Sequence, residues 1–97
     1  MKKWQRVGIV GAGTMGSGIA QVAAQAGREV VLVDASEEAL ERSELALSKV
    51  LARLVEKGRM TEEASQSIPQ QIQRVSNLDA LSNCDVVIEA IVEDLDV

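Results

Sequence analysis

Histidine is absent from the 97 residues of this chain, and cysteine occurs once, as Cys84. Without histidine the chain offers no imidazole for a catalytic base or a metal site. With a single cysteine it has no intrachain disulfide and no metal cluster built on thiolates. Trp4 is the only aromatic residue, so a core has to be built from valine, isoleucine, leucine and alanine. These absences exclude several classes of catalytic and metal chemistry from the chain itself.

Positive charge is also in short supply. Ten lysine and arginine residues stand against fifteen aspartate and glutamate residues, which gives a net charge of −5. Nonspecific nucleic-acid binding depends on a basic surface, and we therefore expect no nucleic-acid partner. No apolar run is long enough to span a membrane, and residues 1–6 lead into the first strand without a signal-peptide segment. We expect no membrane partner and a cytoplasmic location.

A glycine-rich segment near the N-terminus organises the chain. The apolar run Val7–Val10 is typical of a strand buried in a parallel sheet, and Gly11, Gly13 and Gly16 follow it at G-x-G-x-x-G spacing. In this motif the first glycine permits a tight turn and the second lets the backbone approach a pyrophosphate. The third lets the following helix pack closely on the strand. The segment therefore predicts a strand, a tight turn and a helix.

The context of the motif bears on whether this turn binds a ligand. By itself the glycine spacing fits a close-packed turn without a ligand equally well. A second apolar run, Val30–Val33, ends in Asp34, about 20 residues beyond the glycines, where dinucleotide-binding folds carry the acid that binds a ribose. An aspartate at this place can also simply end a strand. Together the two features favour a dinucleotide whose phosphates bind the helix N-terminus.

The rest of the sequence alternates between strand and helix patterns. Pro69 should stop or kink the last helix of an inserted helical hairpin, residues 36–70, by Ile68. The fourth strand should be buried on both faces. Right-handed crossovers then give an α/β fold, a Rossmann-type doubly wound parallel sheet of about four strands in the order 3-2-1-4. We predict helix over 14–26 ended by Gly27, strand over 29–33, helix from a cap at Ser36 to Gly58, helix from Thr61, strand over 73–75, a helical turn over 78–81 and strand over 85–89.

Four stretches of the sequence resemble the start of NAD-dependent 3-hydroxyacyl-CoA dehydrogenases, in particular the bacterial 3-hydroxybutyryl-CoA enzymes. They are Gly11–Gln21, Val30–Asp34, Leu54–Glu63 and Asp85–Leu95. The resemblance covers essentially the whole chain and implies that residues 1–97 form only part of a NAD-binding domain. It also implies that the catalytic segment and the C-terminal helical domain lie beyond this chain, so that no catalytic residue is assigned here.

The resemblance implies roles for individual residues. Asp34 would bind the adenosine ribose, and its carboxylate would repel the extra phosphate of NADP. The backbone around Ala90 and Ile91 would line the cofactor, and Glu93 would lie near the ribose on the nicotinamide side, although a glutamate there also suits the first turn of a helix. The residues that would hold the NAD pyrophosphate are Gly11, Ala12, Gly13, Thr14, Met15 and Gly16.

The substrate of the family is an acyl-CoA, which is oxidised from the 3-hydroxyacyl to the 3-ketoacyl form by hydride transfer to NAD. Lys57 matches a lysine that contacts the CoA nucleotide in the family, whereas the serine that accompanies it there aligns with Val50, close to Ser48. Lys57 is equally explained as a solvated cation at a helix C-terminus. The acyl-CoA is therefore expected as a partner of the full-length enzyme, with Lys57 as the candidate contact in this chain.

Two other functions stay open on the sequence alone. One is a stand-alone dinucleotide-binding regulatory module without catalysis. The other is a different enzyme on the same scaffold, such as a methyltransferase, in which an acid after the second strand also binds a ribose. We also expect the chain to self-associate, by edge pairing or by exchange of the helical hairpin, because a sheet that stops at the fourth strand would leave the apolar residues 86–88 on an open edge.

Overall fold

Four strands, three α-helices and a 3₁₀ helix alternate along residues 5–90, the part of the chain that a computed structural model describes. They follow the order predicted from the sequence, and their bounds agree with the prediction within two residues. The elements are β1 (Arg6–Val10), α1 (Thr14–Gln25), β2 (Glu29–Val33), α2 (Glu37–Glu56), α3 (Glu62–Gln70), β3 (Ile72–Val75), the 3₁₀ helix (Leu78–Asn83) and β4 (Val86–Glu89).

The four strands form one parallel sheet in the order β3-β2-β1-β4. In β1, Val7 pairs with Val30 of β2 and with Val86 of β4, so the three strands run in register from the same edge. The winding of the chain reverses between β1 and β4. The predicted doubly wound sheet is confirmed, and the reversal opens a crevice at the carboxyl ends of these strands, where folds of this type bind ligands.

The core is aliphatic, as the composition requires. Ile9, Val30 and Leu32, all in the two central strands, are the most deeply buried large side chains. A leucine face of α2 packs on the same cluster, at the helical spacing seen in the sequence. Its buried members are Leu40, Leu47 and Leu51.

Capping residues fix where the helices begin and end. The side chains of Ser36 and Thr61 each accept a hydrogen bond of 3.1 Å from the backbone N–H three residues further on, and two glutamates follow each cap. Gly27 and Gly58 adopt positive φ angles of 86° and 70° just beyond α1 and α2. These caps therefore mark the predicted starts of α2 and α3 and the predicted ends of α1 and α2. None of the helices among residues 5–90 is long and apolar enough to cross a membrane.

Two expectations about the later elements are wrong. Helix α3 does not stop by Ile68 but continues through Pro69 to Gln70. Pro69 has no N–H to donate to the carbonyl of Ser65 one turn earlier, so the last turn lacks one helix hydrogen bond. The buried Ile68 holds this turn against the core, and the N–H of Gln71 closes the helix with a 3.0 Å bond to the carbonyl of Ile68. Strand β4 is not buried on both faces, since Val87 is 47% exposed. It lies at the edge of the sheet, where its α1 side packs on the core and the described residues leave its other side open.

Candidate functional site

The loop between β1 and α1 is held tightly against the end of the sheet. The N–H of Gly11 donates a 2.8 Å hydrogen bond to the carbonyl of Val33 at the end of β2, and Gly11 itself has a φ of 109°. A Cβ on Gly16 would overlap the carbonyl oxygen of Gly11 and lie 2.9 Å from its carbonyl carbon. Glycine is therefore required at position 11 by the backbone conformation and at position 16 by the close approach of helix and loop.

The N-terminus of α1 lacks the partners that the other helices have. Its N-cap is Gly13, which provides no side-chain hydrogen bond, and no acidic residue lies in its first turn. The first N–H groups of a helix have no partner within the helix and carry a partial positive charge. Thr14 and Met15 in this turn are exposed, so a ligand can reach these groups. The donor set fits a phosphate or pyrophosphate.

Asp34 lies against this loop. One carboxylate oxygen accepts a 2.8 Å hydrogen bond from the N–H of Ala12, and the other accepts a 2.9 Å bond from the N–H of Ser36. The side chain is partly buried and held at both oxygens. A carboxylate has about four acceptor positions, so each oxygen can still accept a bond from a hydroxyl group. The predicted acid and the predicted glycine loop therefore meet in one place.

The end of β4 closes the other side of the loop. Ala90 is buried, and its N–H donates a 2.8 Å hydrogen bond to the carbonyl of Val10. A Cβ on Gly16 would be 3.5 Å from that of Ala90, so the two residues are in contact distance. The structure thus brings the glycine loop, Asp34 and Ala90 to the carboxyl edge of β1, β2 and β4. Ile91 and Glu93 lie outside the described residues.

Lys57 lies apart from this crevice. It is the exposed C-cap of α2, and a helix of 20 residues places it about 30 Å from the N-terminal end of that helix. Val50 lies closer, in a cleft of about 550 Å³ between α1 and α2 that Gly13 and Ser17 also line. Ser48 is exposed. The structure therefore places Lys57, the predicted CoA contact, on the surface away from the glycine loop.

A polar network behind the loop was missed by the sequence analysis. The Oγ atom of Ser17 on α1 lies 3.1 Å from the carbonyl oxygen of Ala12 and 2.8 Å from the Oγ of Ser43 on α2. Two guanidinium nitrogens of Arg74 on β3 approach the Oγ of Ser43 at 3.4 Å. Burial lowers the pKa of Arg74, and the nearby carboxylate of Glu44 opposes this effect. The network connects three elements to the loop.

The sequence held one signal for this network. Ser43 stands three residues after Leu40 and four before Leu47, within the apolar face of α2, and it is only 3% exposed. A small polar residue at a core position needs a hydrogen-bond partner, so the position could have been singled out. Its partners, in contrast, come from α1 and β3 and could not be identified without the fold.

Cys84 has no sign of chemical activation. Burial raises the pKa of its thiol, while the charge of Arg6 lowers it and that of Asp85 raises it further. A Cβ on Gly8 would be 2.9 Å from its sulfur, so the thiol packs on β1. A thiol with a raised pKa is a poor nucleophile. Cys84 is therefore an inert small side chain that packs on the sheet.

The sequence of this chain matches a known family over residues 6–97, the family described as 3-hydroxyacyl-CoA dehydrogenase, NAD binding domain. It is 44% identical over 88 residues to a probable 3-hydroxybutyryl-CoA dehydrogenase of Deinococcus radiodurans, covering 91% of this chain and 31% of the relative. It is 46% identical over 89 residues to a 3-hydroxybutyryl-CoA dehydrogenase of Bradyrhizobium diazoefficiens, covering 92% of this chain and 30% of the relative.

A solved structure supports the same relationship. The crystal structure of (S)-3-hydroxybutyryl-CoA dehydrogenase from Ralstonia eutropha superposes with a TM-score of 0.91 and 41% identity, over 97% of this chain and 33% of that one. The chain thus spans about a third of the length of these relatives. The matched part contains the glycine loop, Asp34 and the β4 end described above. The chain therefore belongs to the family of NAD-binding domains of 3-hydroxyacyl-CoA dehydrogenases.

Proposed function

We propose that this chain is the cofactor-binding part of an enzyme that oxidises a 3-hydroxyacyl-CoA, specifically 3-hydroxybutyryl-CoA, to the 3-ketoacyl-CoA. NAD, which the description of the family names as the bound cofactor, would supply the chemistry by accepting the hydride. The observation that carries the proposal is the contact between Asp34 and the N–H of Ala12, which joins the acid to the glycine loop. Membership of an NAD-binding family decides against a methyltransferase.

The chain's own residues would bind and orient the cofactor. The free N–H groups at the start of α1, from Gly13 to Gly16, would hold the pyrophosphate with the help of the helix dipole. Gly11 would supply the turn and Ala12 the bond to Asp34. The carboxylate of Asp34 would accept hydrogen bonds from the adenosine ribose and disfavour NADP, because the extra phosphate would lie beside a negative charge. Ala90 would line the crevice from the β4 side.

Further assignments rest on the resemblance to the family. Ile91 would line the cofactor, Glu93 would lie near the ribose on the nicotinamide side, and Lys57 would contact the CoA nucleotide. The catalytic residues and the helical domain would belong to a part of the enzyme outside this chain. We also propose that the isolated 97-residue chain self-associates through β4 at Val86–Ile88, the sheet edge that the described residues leave unpaired. The cytoplasmic location stays a prediction.

The proposal is tested on the full-length gene product that contains this chain. Its oxidation of 3-hydroxybutyryl-CoA and of longer 3-hydroxyacyl-CoA substrates is followed by the appearance of NADH. We expect activity that is highest with the short substrate, and an Asp34→Ala variant with a raised KM for NAD and a kcat that changes little. Glu41→Ala removes an exposed acid from α2 and is the control. No NADH formation with any of these substrates would overturn the proposal.

A further inference from the structure

The peptide groups on either side of Ala12 are both held by side chains. The N–H of Ala12 donates to Asp34, and its carbonyl oxygen accepts a 3.1 Å hydrogen bond from the Oγ of Ser17. That carbonyl shares a peptide plane with the N–H of Gly13, which points the opposite way in a planar trans peptide. Whatever fixes the Ala12 carbonyl therefore also fixes the direction of the Gly13 N–H at the start of α1.

The direction of each bond in the network follows from the number of protons. A serine hydroxyl has one proton, so a Ser17 hydroxyl that donates to Ala12 must accept from Ser43 across their 2.8 Å contact. Ser43 then has its acceptor positions free for the guanidinium of Arg74, at 3.4 Å. The hydrogen bonds then all run in one direction. Arg74 donates to Ser43, Ser43 donates to Ser17, and Ser17 donates to the Ala12 carbonyl.

The alternative arrangement is poorer. If Ser17 donated to Ser43 instead, the Ala12 carbonyl would lose this donor, and the Ser43 proton would compete for space with the Arg74 guanidinium. The hydroxyl of Ser43 is almost completely buried, and hydrogen bonds in such an environment polarise one another when they run in one direction. The arrangement that starts at Arg74 and ends at Ala12 is therefore favoured.

We propose that Ser43 and Arg74 are positioning residues for NAD, which act through Ser17 to hold the Gly13 N–H toward the cofactor pyrophosphate. This inference rests on the proposed function of the glycine loop. Neither residue belongs to the loop: Ser43 lies on α2 and Arg74 on β3. Their contribution to NAD affinity therefore depends on the hydroxyl of Ser17.

A double-mutant cycle on the 97-residue chain tests this dependence. Ser17→Ala and Ser43→Ala should each weaken NAD binding about tenfold, the equivalent of one hydrogen bond. In the Ser17→Ala background, Ser43→Ala should cause no further loss. Ser17→Thr keeps the hydroxyl and should restore affinity. Ser67→Ala is the matched control, because the Ser67 hydroxyl donates only to a carbonyl of its own helix, α3.

A second measurement works without NAD. Relaxation dispersion of the backbone amides should show new microsecond-to-millisecond exchange at Gly13 in Ser17→Ala and Ser43→Ala, and none in Ser67→Ala. Leu51→Ala, which opens the core far from the loop, should lower stability without changing the Gly13 signal or the NAD affinity of the folded protein. This variant separates positioning from general destabilisation.

The outcomes distinguish the two proposals. If the unmodified chain does not bind NAD, the proposed function of the loop fails for this chain. The relaxation dispersion of the Gly13 amide then still decides whether Ser43 and Ser17 hold the loop in position. If it binds NAD and Ser43→Ala weakens binding equally with and without the Ser17 hydroxyl, the positioning inference is overturned. An unchanged Gly13 signal in Ser43→Ala would overturn it as well.

Discussion

The carboxylate of Asp34 accepts a 2.8 Å hydrogen bond from the backbone N–H of Ala12. This bond ties the end of β2 to the loop between β1 and α1, so the acid that would bind the ribose also holds the loop that would bind the pyrophosphate. A change at Asp34 is therefore expected to affect folding as well as cofactor binding. The two effects can be separated, because stability is measured without the cofactor.

Removing the Asp34 carboxylate should lower the stability of the chain. Asp34→Ala leaves the N–H groups of Ala12 and Ser36 without their acceptor, and we expect a loss of about 1–3 kcal/mol in the free energy of unfolding. Asp34→Asn keeps one oxygen and should lose less. Urea denaturation gives both values. Glu41→Ala, which removes an exposed charge, should change stability by less than about 0.5 kcal/mol; equal losses in Asp34→Ala and Glu41→Ala would contradict this account.

Two glycines of α1 should respond oppositely to alanine. Gly16→Ala places a Cβ on the Gly11 carbonyl, which forces the backbone apart and should cost about 1–3 kcal/mol or more. At Gly18 a Cβ meets nothing within 4 Å, and alanine should stabilise the helix by up to about 1 kcal/mol. Thermal unfolding of the two variants checks the difference, and similar melting temperatures would speak against the close approach of Gly16 and Gly11.

Gly13 should matter for the ligand and not for the fold. A Cβ at this position has nothing within 4 Å in the protein, and the residue has a φ of −73° that alanine adopts readily. We expect Gly13→Ala to unfold like the unmodified chain and to bind NAD at least about tenfold more weakly, because the methyl group would occupy the space of the pyrophosphate. Titration calorimetry measures the affinity. Unchanged NAD binding would show that the pyrophosphate does not lie against Gly13.

The thiol of Cys84 should react slowly in the folded chain. Burial raises its pKa above the ordinary value of 9.0, so the thiolate fraction near neutral pH is smaller than in the unfolded chain. Alkylation by iodoacetamide should be slower in buffer than in urea at the same pH. The folded state binds the proton of the Cys84 thiol more tightly than the unfolded state does. The thiol therefore contributes to folding stability below its pKa in the unfolded chain, and this contribution is lost as the pH rises through its pKa in the folded chain. Equal alkylation rates in buffer and urea would contradict the burial.

Features coded by neighbouring residues could be predicted from the sequence. The glycine spacing, the acid after β2, and the caps at Ser36 and Thr61 are local signals. With the alternation of strands and helices and right-handed crossovers, they predict the sheet order and the meeting of Asp34 with the glycine loop. The edge position of β4 could be predicted, but the exposure of Val87 could not, since the sequence of a strand does not show whether a helix covers each of its faces. The contacts of Ser43 with Ser17 and Arg74 also depend on the tertiary fold.

The most direct test of the central claim is calorimetric titration of the chain with NAD and NADP, in the unmodified form and as Asp34→Ala. We expect saturable NAD binding, at least about tenfold weaker binding of NADP, and a loss of this preference in Asp34→Ala. The Glu41→Ala control should bind NAD like the unmodified chain. Equal affinities for NAD and NADP in the unmodified chain, or NAD binding that Asp34→Ala leaves unchanged in a folded protein, would contradict the account.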